Sequence, residues 1–164
     1  MIKIVCSTRR HPFSALIRFI NGSLWSHEAI LDGDYVIEAL GTTGVHRVPF
    51  EEAKAHYIDY AVLEFDVPDC EAGMQFARAQ IGKQYDWGAI VWQVIGRLLL
   101  LLGFERNWQD DRKWFCFELR EAVLRAAGLP TIVRSTSVVI RWSDCWQSPL
   151  GRLVVPPKTV AVIG

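Results

Sequence analysis

The sequence predicts an α+β fold in which a small antiparallel sheet has helices packed on it. Residues 26–31 and 34–39 are strand-like runs on either side of Asp32-Gly33, a dipeptide typical of two-residue hairpin turns. Residues 70–82 and 116–127 instead carry apolar side chains at helical spacing, which suits helices covering one face of the sheet.

The remaining elements follow from turn residues and from the period of the apolar positions. His11 begins a short helix, Asn21-Gly22 ends it, and Gly82 and Gly128 end two later helices. Further predicted strands cover residues 2–6, 45–48, 60–67, 138–142, 153–154 and 159–163, and the other predicted helices cover residues 12–20 and 87–102.

The composition indicates one globular domain over residues 1–164. Half of the residues are apolar, and the formal net charge is zero. A general nucleic-acid-binding protein would carry a basic excess, so we expect no nucleic-acid partner, and we interpret Arg9-Arg10 as solvated surface. The N-terminal residues lack the apolar core of a signal peptide, so we expect a cytoplasmic protein with reduced thiols.

The four cysteines include no CxxC pair, which argues against a zinc knuckle. Cys70 falls on the apolar face of its predicted helix, and Cys6 lies in a short apolar strand. Cys145 lies in a loop-like stretch. Cys70 is therefore interpreted as a core residue, Cys6 and Cys145 are weaker candidates for chemistry, and Cys116 is the strongest candidate.

The hairpin brings a histidine to a carboxylate. With Asp32-Gly33 as its loop, Leu31 pairs with Asp34, and counting outward places His27 directly opposite Glu38. A carboxylate beside one ring nitrogen fixes the tautomer and stabilises the imidazolium, as an orienting residue does in a catalytic triad. An ordinary cross-strand pair on the surface would give the same pattern, and His46 is an alternative base.

Cys116 follows the aromatic pair Trp114-Phe115 and begins a helix. Helix N-termini carry partial positive charge and free N–H groups, which favour a thiolate and can receive an oxyanion. A small buried apolar residue at a helix start is the structural alternative.

Three segments in the right order resemble the circularly permuted NlpC-type peptidases, the YiiX-like branch of the papain-like cysteine hydrolases. They are SHEAI at residues 26–30 with VIEA at 36–39, GKQYD at 82–86, and CFEL at 116–119. His27 precedes Cys116, as the permuted order requires. The resemblance spans residues 10–130 and implies a papain-like fold, with a small antiparallel sheet or half-barrel packed against helices.

The resemblance implies a cysteine hydrolase or acyltransferase with Cys116 as nucleophile, His27 as base and Glu38 as orienting residue, and needs no cofactor. Tyr85, Phe117 and Trp114 would contact the substrate or its oxyanion. Relatives act on cell-wall peptides, and related permuted branches act on lipids, so a peptide or an acyl lipid is the expected substrate. The alternative is an idle binding or structural module of the same fold, for example in a phage or an envelope assembly.

The segment 87–104 is very apolar, but Gln93, Gly96 and Arg97 interrupt it. A spanning helix needs about 20 mostly apolar residues, so we expect no transmembrane span. Peripheral contact with a membrane stays open for this segment, as does burial in the core or in a dimer interface.

Overall fold

The computed structural model describes residues 1–21, 23–88, 113–130 and 148–158. Its strands are β1 (Ile2–Arg9), β2 (His27–Asp32), β3 (Tyr35–Leu40), β4 (Gly44–Pro49), β5 (Tyr57–Phe65), β6 (Gln84–Tyr85), β7 (Lys113–Trp114) and β8 (Gly151–Val155). Its helices are α1 (Pro12–Asn21), α2 (Phe50–Lys54), α3 (Cys70–Ala79) and α4 (Cys116–Ala126). The predicted elements at 87–102, 138–142 and 159–163, together with Cys145, lie outside the described residues, apart from Trp87 and Gly88.

Six strands form one antiparallel sheet in the order β4-β3-β2-β1-β5-β8. Among the described strands the sheet is open, with β4 and β8 at its edges, so of the two predicted forms the plain sheet is the one found. The short strands β6 and β7 form a separate parallel pair. The predicted α+β fold, with helices packed on an antiparallel sheet, is confirmed.

The two faces of the sheet have different cores. On one face, side chains such as Ile4 and Ile30 pack against α3 and α4, whose Leu119 and Val123 are buried as their helical spacing predicts. On the other face, a smaller cluster including Val36 packs against α2. Helix α1 lies apart from both clusters and leaves several of its apolar side chains exposed, namely Phe13, Leu16 and Phe19.

The predicted hairpin register is wrong by two residues. Asp32 pairs with Tyr35 and Ala29 with Glu38, so the two-residue loop is Gly33-Asp34 rather than Asp32-Gly33. A loop with glycine first requires a positive φ only at that glycine, as in a type II′ turn, and Gly33 has a φ of 63°. The predicted loop would have required a positive φ at Asp32 as well.

The side chain of Asp32 gives a second reason for this register. As a strand residue, Asp32 accepts hydrogen bonds from Arg47 at 2.8 Å and from Arg78 at 2.7 Å. The Arg78 hydrogen bond, aided by Arg47, holds the pKa of the Asp32 carboxyl below its usual value. The end of the hairpin is thereby fastened to β4 and to α3.

Candidate active site

His27 and Glu38 are in contact despite the change of register. They are diagonal rather than direct neighbours, but a shift of two residues keeps both side chains on the same face of the sheet. The Nε2 atom of His27 lies 2.6 Å from Oε2 of Glu38, and both side chains are buried. The predicted contact between the two residues is therefore found.

Glu38 is shared by three basic side chains from three strands. Besides His27 on β2, it accepts a hydrogen bond from Nη1 of Arg9 on β1 at 3.0 Å. His46, directly opposite on β4, places its Nε2 atom 3.4 Å from Oε1 of Glu38. Arg9 is thus not the solvated surface residue that the sequence suggested.

The positive neighbours of Glu38 determine its charge. Burial alone would raise the pKa of the carboxyl, but the attraction and hydrogen bonds of His27, His46 and Arg9 outweigh burial and lower it far below its usual value. Glu38 is therefore a carboxylate at neutral pH, and a carboxylate can only accept hydrogen bonds.

This acceptor fixes the tautomer of His27. Because Nε2 must donate to Glu38, the neutral ring carries its lone pair on Nδ1. Burial lowers the pKa of His27, and the positive charges of Arg9 and His46 lower it further. The charge and hydrogen bond of Glu38 raise the pKa, but they do not outweigh burial. His27 is therefore a neutral imidazole whose Nδ1 atom is an acceptor, which is the form that a general base requires.

His46 has the opposite character. Its Nδ1 atom lies 2.9 Å from the Thr43 hydroxyl oxygen and 3.2 Å from the carbonyl oxygen of Gly44, while Nε2 faces Glu38. The Glu38 hydrogen bond raises the pKa of His46, whereas burial lowers the pKa of His27. His27 therefore stays neutral to lower pH than His46, which favours His27 over His46 as the base.

These pKa shifts predict a loss of stability in acid. The lowered pKa of Glu38 stabilises the fold above the ordinary glutamate value of 4.5, and this contribution is lost as the pH falls. The lowered pKa of His27 also makes the fold less stable as the pH falls below about 6.5. His46, with a raised pKa, stabilises the fold at low pH and loses its contribution as the pH rises.

We therefore expect the unfolding free energy of Glu38→Gln to depend less on pH below about 4.5 than that of the wild type. The slopes should differ by up to about 1.4 kcal/mol per pH unit, the limit for one proton. Urea unfolding at a series of pH values measures the slopes. Glu52→Gln, which changes an exposed glutamate on α2, is the matched control and should keep the wild-type slope. An unchanged slope in Glu38→Gln would contradict the assignment.

Cys116 is the first residue of α4, and only 3% of its surface is exposed. It lines a cavity of about 310 Å³ whose wall also includes His27 and Tyr85. The structure thus places the predicted nucleophile and the predicted base on one cavity. The separation of the sulfur from a His27 nitrogen, expected to be within about 4 Å, stays a prediction.

The predicted lowering of the thiol pKa is wrong for the free protein. Burial raises the pKa of Cys116 to about 12, and the carboxylate of Glu28 acts in the same direction. The backbone N–H groups of Glu28 and Phe117, hydrogen-bonded to the sulfur, oppose this shift without overcoming it. Near neutral pH, Cys116 is therefore a thiol and not a thiolate.

A buried ion pair lies one helical turn beyond Cys116. The Nε atom of Arg120 on α4 lies 3.1 Å from Oε2 of Glu28, the residue after His27 on β2. Both side chains are almost completely buried, at 0% and 1% exposure. The pair connects the helix that carries the thiol to the strand that carries the imidazole. The sequence did not predict this pair, because the two residues belong to a strand and a helix that are far apart in the chain.

Tyr85 reaches the cavity because β6 pairs with β7, which ends just before α4. The pairing is Tyr85 with Trp114, and the Asp86 N–H donates to the Trp114 carbonyl oxygen at 3.1 Å. Burial raises the pKa of Tyr85 well above its usual value, so the phenol stays neutral and can donate a hydrogen bond.

Trp114 and Phe117 were predicted to contact the substrate, but neither is among the described residues that line the cavity. Trp114 packs in the main core, where its indole N–H donates to Oε1 of Gln80 at 3.1 Å. Phe117 is fully buried beside Phe115 and Cys116. Neighbouring side chains on a helix or a strand point in different directions, so residues next to Cys116 in the sequence need not face the cavity.

No protein-family model and no curated protein matches this sequence. Among solved structures, the chain is similar to the metalloprotein YiiX from Escherichia coli O157:H7, with a TM-score of 0.68. The match covers 93% of this chain and 94% of that one, at 18% sequence identity. The chain has a YiiX-like fold. At this identity, the likeness describes the fold alone.

Within the YiiX-like fold, the described residues of this chain contain no group of three or more His, Cys, Asp or Glu able to hold a metal ion. Around Glu38, both imidazoles point at the carboxylate, and Arg9 already supplies a positive charge, so this cluster does not suit a cation. No described helix has the length and apolar character needed to cross a membrane.

Proposed function

We propose that this protein is a cysteine hydrolase or acyltransferase in which Cys116 attacks a carbonyl carbon and His27 is the base. The observation that carries the proposal is the cavity lined by both residues, with the far nitrogen of His27 bonded to Glu38. The YiiX-like fold and the resemblance of residues 26–39, 82–86 and 116–119 to permuted NlpC-type peptidases support the same assignment.

The reaction begins from a neutral pair, because burial keeps the thiol protonated and His27 uncharged. Nδ1 of His27 takes the thiol proton as the sulfur–carbon bond forms, and Glu38 stabilises the resulting imidazolium. The Nδ1–H then returns the proton to the leaving nitrogen, oxygen or sulfur as its bond to the carbonyl carbon breaks. A thioester on Cys116 remains.

The second half reverses these steps. Water, or another acceptor, gives a proton to Nδ1 and attacks the thioester carbonyl carbon. The carbon–sulfur bond then breaks, the acyl product leaves, and the sulfur takes the proton from Nδ1 to regenerate the Cys116 thiol. The developing oxyanion has candidate donors in the Phe117 N–H and in the neutral phenol of Tyr85. His27 and Glu38 thus serve both halves of the cycle.

Trapping the acyl-enzyme tests this proposal. p-Nitrophenyl octanoate, an activated ester, should give a burst of p-nitrophenol and add one octanoyl group to Cys116, located by mass spectrometry of peptides. His27→Ala should lower the burst rate by about 10²- to 10⁴-fold, the usual contribution of a general base. The half-buried Cys70, whose thiol hydrogen-bonds to the Met1 carbonyl oxygen, is an internal control and should stay unmodified.

An absent burst, or acylation of Cys6 or Cys70 at the rate of Cys116, would contradict the proposal. Either result would favour the alternative of an idle binding or structural module with the same fold. Peripheral membrane contact of the segment 87–104 stays a prediction, which this test does not address.

A further inference from the structure

The cavity that contains Cys116 is lined by two chemically different kinds of residue. Some are apolar or aromatic, such as Phe13, Ile17 and Trp87. Others are basic, namely Arg9, Arg10, His11 and His56. No Asp or Glu is among the described residues that line it. The whole chain is formally neutral, so this excess of basic residues is local.

The basic side chains differ in whether their charge is compensated. Arg9 bonds to Glu38 and is committed to the His27 cluster. Arg10 has no carboxylate within ion-pair distance among residues 1–21, 23–88, 113–130 and 148–158. An arginine at a cavity without a carboxylate partner is suited to a carboxylate or phosphate on a ligand, which it can bind through two parallel hydrogen bonds.

The neighbours of Arg10 present donors in the same place. The Phe13 N–H donates to Nδ1 of His11 at 3.2 Å, so the proton of a neutral His11 ring is on Nε2. The Arg10 N–H donates to the carbonyl oxygen of His56 at 3.1 Å, which connects two of the basic lining residues through their backbones. The basic lining residues therefore offer donors, and the apolar lining residues offer surface to a hydrocarbon chain.

We propose that this cavity binds an amphiphilic anion, namely a carboxylate or phosphate joined to an apolar chain. Arg10 and His11 bind the anionic group, and Phe13, Ile17 and Trp87 contact the chain. A volume of about 310 Å³ suits one small ligand. The inference rests on the proposed function in one respect, because it names the substrate class of the same cavity.

Direct binding tests the inference without turnover. Isothermal titration of the full chain would compare octyl phosphate and octanoate with octyltrimethylammonium and octanol, each below its micelle concentration. We expect the two anions to bind at least about tenfold more tightly than the cation or the alcohol. Hexanoate should bind less tightly than octanoate, because each methylene contributes about 0.8 kcal/mol when buried.

Arg10→Met should weaken binding of the anions about tenfold and leave binding of octanol unchanged. Arg125→Met is the matched control, since Arg125 is exposed near the end of α4 and does not line the cavity. Equal affinity for anions and cation, or equal effects of the two substitutions, would overturn the inference. A short acidic peptide that binds as tightly as octanoate would also overturn it.

Vesicles identify the source of the anion. Binding to phosphatidylglycerol vesicles but not to phosphatidylcholine vesicles, lost in Arg10→Met, indicates a lipid in a bilayer. Binding to octyl phosphate without binding to either vesicle indicates a soluble amphiphile. The same titrations with Cys116→Ala measure anion binding without the thiol, which separates the two proposals. If the acylation burst fails and anion binding is intact, only the hydrolase proposal is rejected.

Discussion

Cys116→Ser should lower turnover of an activated ester by at least about 10³-fold, the largest effect that we expect. The substituted side chain keeps the size of the nucleophile, but a serine hydroxyl is a far weaker acid than a thiol. In a cavity where burial already raises the thiol pKa to about 12, a neutral His27 cannot activate that hydroxyl efficiently. Steady-state hydrolysis of p-nitrophenyl octanoate measures the effect.

Cys70→Ser is the control for this substitution, because Cys70 begins α3 and does not line the cavity. Its turnover should stay within about twofold of the wild type, as expected for a substitution outside the site. If Cys116→Ser retained a tenth or more of wild-type turnover while folded, as judged by circular dichroism, Cys116 could not be the nucleophile.

Arg120→Met should destabilise the fold by about 3–5 kcal/mol. Methionine fills a similar volume, but it leaves Glu28 as a buried carboxylate without the guanidinium 3.1 Å away. Removing one partner of a buried ion pair is costly because the remaining charge stays desolvated. Urea unfolding followed by circular dichroism gives the difference in unfolding free energy.

Arg125→Met, on the exposed side of the same helix, should change the unfolding free energy by less than about 0.5 kcal/mol. The double variant Arg120→Met, Glu28→Met should recover much of the lost stability, because it leaves no unpaired buried charge. A double variant no more stable than Arg120→Met would show that the cost comes from packing and not from charge.

The sequence predicted the sheet, three of the four described helices and the His27–Glu38 contact from local signals. The contact was predicted from an incorrect register and still holds, because side chains alternate along a strand with a period of two. An error of one residue would have put His27 and Glu38 on opposite faces. The alternation of side chains was therefore enough to predict that His27 and Glu38 lie on one face of the sheet, and the turn type did not affect that prediction.

The features of the site that the sequence did not predict depend on contacts between residues that are far apart in the chain. Arg9 reaches Glu38 because β1 lies beside β2, with Ser7 opposite His27. A local sequence pattern does not predict the order of strands in a sheet. The pair Glu28–Arg120 joins residues 92 positions apart (120 − 28 = 92). The Cys116 pKa depends on how deeply the start of α4 is buried, and tertiary packing determines that depth.

The buried, protonated state of Cys116 has a consequence for oxidative damage. Peroxides react with thiolates, so a thiol with a pKa near 12 and 3% exposure should be converted to sulfenic acid only slowly. The half-buried Cys70 is the more accessible of the described thiols. If Cys116 is the nucleophile that we propose, it would be protected from irreversible oxidation between turnovers and ready for the next acyl group without a resolving thiol or a reductase.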